Sequence, residues 1–328
     1  MGYENEQVIV ENREKIKIRH SKLGLASYIN PRTVCSQKEH DQQWQALLDN
    51  WHYLECLEIQ YEHDYRNNWW QSLPAMLQHY AGKIIVHGPT QKRDLASIDQ
   101  QLNLQSLTEN KLALDFATQI GAESMILHIT PRNDFNSRLK QLDRAMLSAT
   151  ELAQYIKDNN LPVALMLENL EYPKWPADAK EAVDLLKDLK NIHPNLCSCL
   201  DLPHLWHNHA ALIPGLKYSD DDFIENLINY IVEVDSIAPI QRFHFAGAYV
   251  DRANNIHETH GVPDLNNHHS SAKQIVKMPV TQCLNIMDEF INDQIDRGIK
   301  AADIILEMHV GCQEQERALK NIQNYLRK

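Results

Sequence analysis

Eight short apolar runs punctuate the chain at regular intervals, and most of them end on a histidine, aspartate or glutamate. The runs are LGLASYI (23–29), LECLEIQ (54–60), KIIVHGP (83–89), SMILHIT (124–130), PVALMLENL (162–170), LCSCLDL (196–202), QRFHFAG (241–247) and DIILEMH (303–309). Between most of them, apolar residues recur at the i, i+3, i+4 spacing of one buried helical face. These sets are Leu112, Phe116 and Ile120; Leu139, Leu142, Met146 and Ala149; Ala182, Leu185, Leu186 and Leu189; and Ile224, Leu227, Ile228 and Ile231. Leu319, Ile322, Tyr325 and Leu326 predict a closing helix. Eight strand–helix alternations predict a parallel sheet closed as a (β/α)8 barrel, with a doubly wound open sheet as the competing architecture. No repeat, low-complexity tract or Pro/Gly/Ser linker divides the chain. Residues 1–328 therefore read as a single barrel domain, a length that such barrels accommodate. Tyr249 to about Pro279, rich in Asn and His, reads as a long irregular loop near the active-site face.

Strand side chains alternate faces with period two. In 162–170, Val163, Leu165 and Leu167 share the face that packs on helices, so Ala164, Met166 and Glu168 point into the barrel. The same parity turns His87 inward with Ile85, His128 with Ile126, Asp201 with Cys197 and Cys199, and Glu307 and His309 with Ile305. The polar residue lies near the C-terminal strand end each time, where barrel active sites are built. One such residue alone is a satisfied strand-end group or a helix cap. A ring of His87, His128, Glu168, Asp201, His244 and Glu307 is different, because buried carboxylates need compensating cations. A shared metal site is the economical reading. His204 adds a donor just past strand six, and Glu258 and His260 add two from the long loop. His257, His268 and His269 read as solvated loop residues, and Cys197 and Cys199 as barrel filling.

The chain carries 32 Lys and Arg against 44 Asp and Glu, a net charge of −12. Nucleic-acid affinity comes from cationic side chains neutralising phosphates, so this balance argues against a nucleic-acid partner. No apolar run reaches the length of a membrane span, and the N-terminal residues lack the apolar core of a signal peptide. Six cysteines without framework spacing predict a reducing, cytoplasmic compartment.

The ordered donors resemble the xylose isomerase-like TIM-barrel superfamily, which groups sugar isomerases and epimerases with endonuclease IV. The resemblance covers roughly Glu55 to Gly311. The endonuclease IV branch implies up to three metals, usually zinc, held by a His after strands three and four, a Glu after five and Asp-x-x-His after six. A His on strand seven, Asp-x-His on the loop beyond and a Glu on strand eight complete that set. By that pattern His87, His128, Glu168, Asp201, His204, His244, His260 and Glu307 would be ligands, with Glu258 standing where the family has Asp. The isomerase and epimerase branch implies a single divalent ion, often manganese or magnesium, on Glu168, Asp201, His244 and Glu307, with the two glutamates moving protons. Glu58 sits where such enzymes often place an acidic residue on strand two, and it joins Trp69, Trp70 and His309 as a substrate-side candidate. The chain lacks the HPG and ENTAG motifs of DNA-cleaving members, carrying His128-Ile-Thr-Pro and Glu168-Asn-Leu-Glu instead.

The resemblance therefore implies an enzyme with one to three divalent ions (zinc, manganese, magnesium or iron) acting on a small sugar-like or phosphorylated substrate. Isomerase or epimerase chemistry is the leading expectation. A multinuclear phosphoester hydrolase is the alternative, with abasic-site cleavage disfavoured. A binding barrel without catalysis is the reading from another class.

Overall fold

Every one of the eight apolar runs forms a strand in the computed structural model, which describes residues 23–27, 36–51, 54–61, 69–90, 93–129, 138–211, 219–251, 256–265, 275–310 and 312–327. The barrel strands are β1 (Leu23–Ser27), β2 (Cys56–Gln60), β3 (Lys83–His87), β4 (Ser124–Leu127), β5 (Ala164–Glu168), β6 (Cys197–Asp201), β7 (Ile240–Phe245) and β11 (Asp303–Leu306). They close in the order β1-β11-β7-β6-β5-β4-β3-β2, and every adjacent pair is parallel. The open-sheet alternative is thereby excluded. The helices between them are α1 (Gln37–Trp51), α2 (Leu73–Leu77), α3 (Gln100–Gln119), α4 (Arg138–Asp158), α5 (Ala179–Lys190), α6 (Leu202–Ala211), α7 (Asp220–Asp235), α8 (Val280–Asp296) and α9 (Cys312–Leu326). Among the described residues no helix is long and apolar enough to cross a membrane.

Local chemistry sets the helix ends. The Asp99 carboxylate accepts from the Gln101 and Leu102 amides and starts α3. At α5, Asp178 accepts from the Glu181 amide while Glu181 reaches back to the Ala177 amide, a reciprocal cap. Gly121 and Gly298, both at φ +70°, follow α3 and α8, where a side chain would be strained.

Strand parity divides the core in two. Outward residues such as Val86, Met125, Leu165 and Ile304 join the helix faces in one large buried cluster. Inward residues Ala26, Cys56, Ile85, Ile126, Met166, Cys197, Cys199 and Ile305 fill the barrel itself. Burial pushes the thiols of Cys56, Cys197 and Cys199 up to about 12, so they pack as neutral groups. Two helical expectations fail at single positions. Leu112 and Ile228 are exposed, because the buried stripes of α3 and α7 run through Ala113, Phe116 and Ala117 and through Leu227, Tyr230 and Ile231.

The stretch expected to be an irregular loop instead builds a three-stranded antiparallel sheet. Its strands are β8 (Gly247–Asp251), β9 (Ile256–Gly261) and β10 (Ile275–Lys277), in the order β10-β8-β9. Polar composition hid it, although Ala248 and Val250 of β8 join the main buried cluster. A Cβ at Gly247 would collide with the Val262 carbonyl oxygen, so the close approach of β8 to the end of β9 requires glycine. The sheet packs on α6 beside the C-terminal ends of the barrel strands.

The opposite end of the barrel is closed by charge. Asp303 binds Lys83 Nζ through both carboxylate oxygens at 2.9 Å and takes a 3.2 Å hydrogen bond from Arg242 Nη2. Arg242 is only 2% exposed. Removing the carboxylate would leave that guanidinium buried without its counterion. Asp303→Ala is expected to cost about 3–5 kcal/mol, seen as a lower urea midpoint with an unchanged m-value.

Candidate metal centre

Directly above the apolar filling, the inward strand-end residues of β2 to β7 and β11 are polar. Glu58, Glu168, Asp201 and His244 are fully buried, and His87, His128 and Glu307 nearly so. Hydration cannot offset these charges, so they must compensate one another.

His244 lies at the middle. Its Nε2 is 2.9 Å from Glu58 Oε2, while its Nδ1 is 2.9 Å from Glu307 Oε2, 3.2 Å from Glu168 Oε1 and 3.7 Å from Asp201 Oδ2. His87 is oriented by Nδ1, 3.0 Å from the Gly88 carbonyl, which turns Nε2 to within 3.3 Å of Glu168 Oε2. His128 Nε2 is 3.6 Å from that same oxygen. Asp201 serves two purposes. Its Oδ1 accepts from the His204 amide at 2.5 Å, capping α6, while Oδ2 faces the ring. Asn169 ties β5 to β6 by accepting from the Asp201 amide at 2.7 Å and donating to the Asp201 carbonyl at 2.8 Å. The Asn169 carbonyl lies 3.2 Å from His204 Nδ1. The sequence reading passed over Asn169, although an Asn immediately after a strand-end Glu was its available signal.

Four buried carboxylate oxygens, Glu58 Oε1, Glu168 Oε2, Asp201 Oδ2 and Glu307 Oε2, find no aligned hydrogen bond, although His244 Nδ1 is 2.9 Å from Glu307 Oε2 and His87 Nε2 is 3.3 Å from Glu168 Oε2. Carboxylate oxygens gathered from several strands around one imidazole suit a cation. One ligand atom each from His87, Glu168, His244 and Glu307 lies within 4.8 Å of the others. That spread is close to what ligand bonds of about 2.0–2.2 Å can span. Asp201, His204 and His260 form a second such group, and His260, Glu307 and His309 a third. These residues could therefore hold a divalent ion.

The charges are strongly coupled. Burial pulls the His87 imidazole down, but the hydrogen bond and charge of Glu168 outweigh it and carry it up to about 10. His244 is likewise held well above the usual range, burial being overcome by the carboxylates of Glu58, Glu307 and Glu168. Glu168 and Glu307 stay well below the carboxylate range despite burial, through His128 and His244 for the first and His244 and His260 for the second. His128 goes the other way, because burial dominates over its contact with Glu168. Burial also lowers His260.

The remaining sequence candidates fall at different depths. Glu58 is beneath the ring against His244 rather than at the mouth. The Glu258 carboxylate accepts from the His260 amide at 3.0 Å and belongs to none of the three ligand groups. His309 is exposed, with its ring stacked on His260 at 4.5 Å. His257 is also exposed, its ring 4.8 Å from that of His207. Trp69 and Trp70 lie on a 3-10 turn (Trp69–Ser72) leading into α2, and their side chains are outside the described residues, as are His268 and His269.

A family model described as a xylose isomerase-like TIM barrel matches residues 51–326. No curated protein matches by sequence. Among solved structures, the chain is similar to a D-tagatose 3-epimerase-like protein at 16% identity and TM-score 0.62, covering 93% of this chain and 97% of the other. It is similar to D-psicose 3-epimerase from Clostridium cellulolyticum, solved with D-tagatose, at 14% identity and TM-score 0.59, covering 93% and 98%. A Thermus thermophilus protein soaked with zinc chloride matches at 16% identity and TM-score 0.53, covering 92% and 97%. At these identities the likeness is one of fold.

Glu58 fixes which His244 nitrogen carries a proton and leaves Nδ1 to face the carboxylates. Partners of this kind typically change metal affinity about 10–100-fold when removed. Glu58→Gln is expected to weaken divalent-ion binding by that factor in a calorimetric titration, with the circular dichroism spectrum unchanged.

Proposed function

The chain belongs to the xylose isomerase-like TIM-barrel family, and from that premise we propose that it is a divalent-metal-dependent isomerase or epimerase of a small sugar-like substrate. The observation that carries this reading is the approach of Glu168 and Glu307 to one nitrogen of His244, at 3.2 and 2.9 Å. The two carboxylates come from the last residue of β5 and the residue just after β11, strands separated in the barrel by β6 and β7. They therefore reach the same small volume from different directions.

That arrangement suits proton transfer at carbon. One carboxylate takes the proton from the carbon beside a carbonyl, and the other returns a proton to the opposite face or to the neighbouring carbon. Glu168 and Glu307 are held ionised by the surrounding imidazoles, so either can start as the base, and the other takes up a proton from solvent before it delivers one. His244, oriented by Glu58, sets the position of both. A divalent ion held by Glu168, Asp201, His244 and Glu307 would polarise the sugar oxygens as a Lewis acid. The likeness to a D-tagatose 3-epimerase-like protein and a D-psicose 3-epimerase supports a ketose-like substrate. The group of Asp201, His204 and His260 favours a second reading, a multinuclear phosphoester hydrolase, because a one-ion isomerase does not need it.

Two measurements test the proposal. A ketose panel incubated in deuterated water is expected to gain deuterium beside the carbonyl, and Glu168→Gln or Glu307→Gln to slow this about 10²–10⁴-fold. Phosphodiester cleavage without deuterium uptake would instead establish the hydrolase. Ion binding should also depend on pH with a definite sign. An imidazole raised to about 10 is protonated near neutrality and must lose that proton to become a ligand. Affinity is therefore expected to rise with pH, with protons released on binding, measured by titration in buffers of different ionisation enthalpy.

A further inference from the structure

Resting on the metal reading above, we propose that His260, Glu307 and His309 form a second divalent-ion position of the zinc class at the rim of the barrel mouth, with Glu307 shared with the inner site. One ligand atom from each lies within 4.8 Å of the others. The position is built by the backbone. The His309 amide donates to the His260 carbonyl at 3.0 Å, which stitches the end of β9 to the segment after β11. That bond brings the two imidazoles to 4.5 Å between centroids at an interplanar angle of 20°.

Glu307 Oε2 faces both positions, 2.9 Å from His244 Nδ1 on the inner side and 3.8 Å from His260 Nε2 on the rim side. Depth grades across the three residues, with Glu307 and His260 buried and His309 exposed. One side of the position thus opens to solvent. Two imidazoles and a carboxylate are the donor set of catalytic zinc sites that keep a fourth position for water or substrate. Glu258, the acidic donor that the loop spacing favours, does not take part. Its carboxylate is turned onto the His260 amide at 3.0 Å, where it holds the strand that carries His260.

Metal counting by plasma mass spectrometry, after equilibration with zinc and desalting, decides the matter. His309→Ala is expected to lose one zinc equivalent relative to the unaltered chain. Glu258→Gln is expected to keep the full count, and His309→Asp to regain the lost equivalent. Thermal unfolding of the chelated proteins confirms that each variant folds. An unchanged count in His309→Ala, or loss of the same equivalent in Glu258→Gln, overturns the rim position. If His244→Ala loses zinc while His309→Ala does not, only the rim position fails. If the unaltered chain retains no zinc, the metal reading itself fails and this inference with it.

Discussion

A fully buried imidazole, that of His244, has Glu58 at one nitrogen and Glu307 and Glu168 at the other. Closing eight parallel strands forces this crowding. Each inward strand-end side chain is aimed at the barrel axis, and water is excluded by the apolar filling beneath. Carboxylates placed there can be stabilised only by groups on other strands. His244 links β7 by charge to β2 and β5, which the backbone ladder does not, because β7 pairs only with β6 and β11. The geometry of the mouth follows from that linkage.

The two ends of the barrel answer the same problem differently. At the floor, Asp303 meets both Lys83 and Arg242, so one carboxylate has two cations. At the mouth, Glu168, Asp201 and Glu307 share imidazoles, with Glu58 beneath them, and one oxygen of each of the four finds no aligned hydrogen bond. A half-satisfied buried network is unfavourable as pure structure. The floor carboxylate is matched by fixed cations, whereas the mouth carboxylates share titratable imidazoles, and that difference is the physical reason to place chemistry at the mouth rather than at the floor.

Period-two alternation made the barrel and its inward ring legible, because it depends on nothing beyond strand geometry. His87, His128, Glu168, Asp201, His244 and Glu307 all follow from it. What escaped depended on partners distant in sequence or on single rotamers. Glu58 meets a histidine 186 positions away, so strand parity could turn it inward but could not say what it touched. Glu258 has suitable ligand spacing, yet its carboxylate turns to its own strand's amide, a choice that no spacing encodes. The β8–β10 sheet was hidden because its residues are mostly polar, and Leu112 and Ile228 misled because an apolar residue at helical spacing need not lie on the buried stripe.

Charge balance connects the fold's tolerance to its proposed chemistry. Without an ion, four carboxylates face His87 and His244, both raised so far by their neighbours that they carry protons near neutrality. Exchanging those two protons for one divalent ion leaves the net charge of the ring unchanged. Occupancy of the inner site therefore need not reorganise the barrel, whose apolar filling and floor ion pairs hold without it. Negative charge nevertheless remains after one ion is bound, on a chain that is itself acidic at −12. On the proposed reading, such a mouth would repel phosphate and favour an uncharged polyol. Only further cation binding, or protonation of the rim histidines, would make it receptive to an anion, so the number of ions and the charge of the substrate are physically one question.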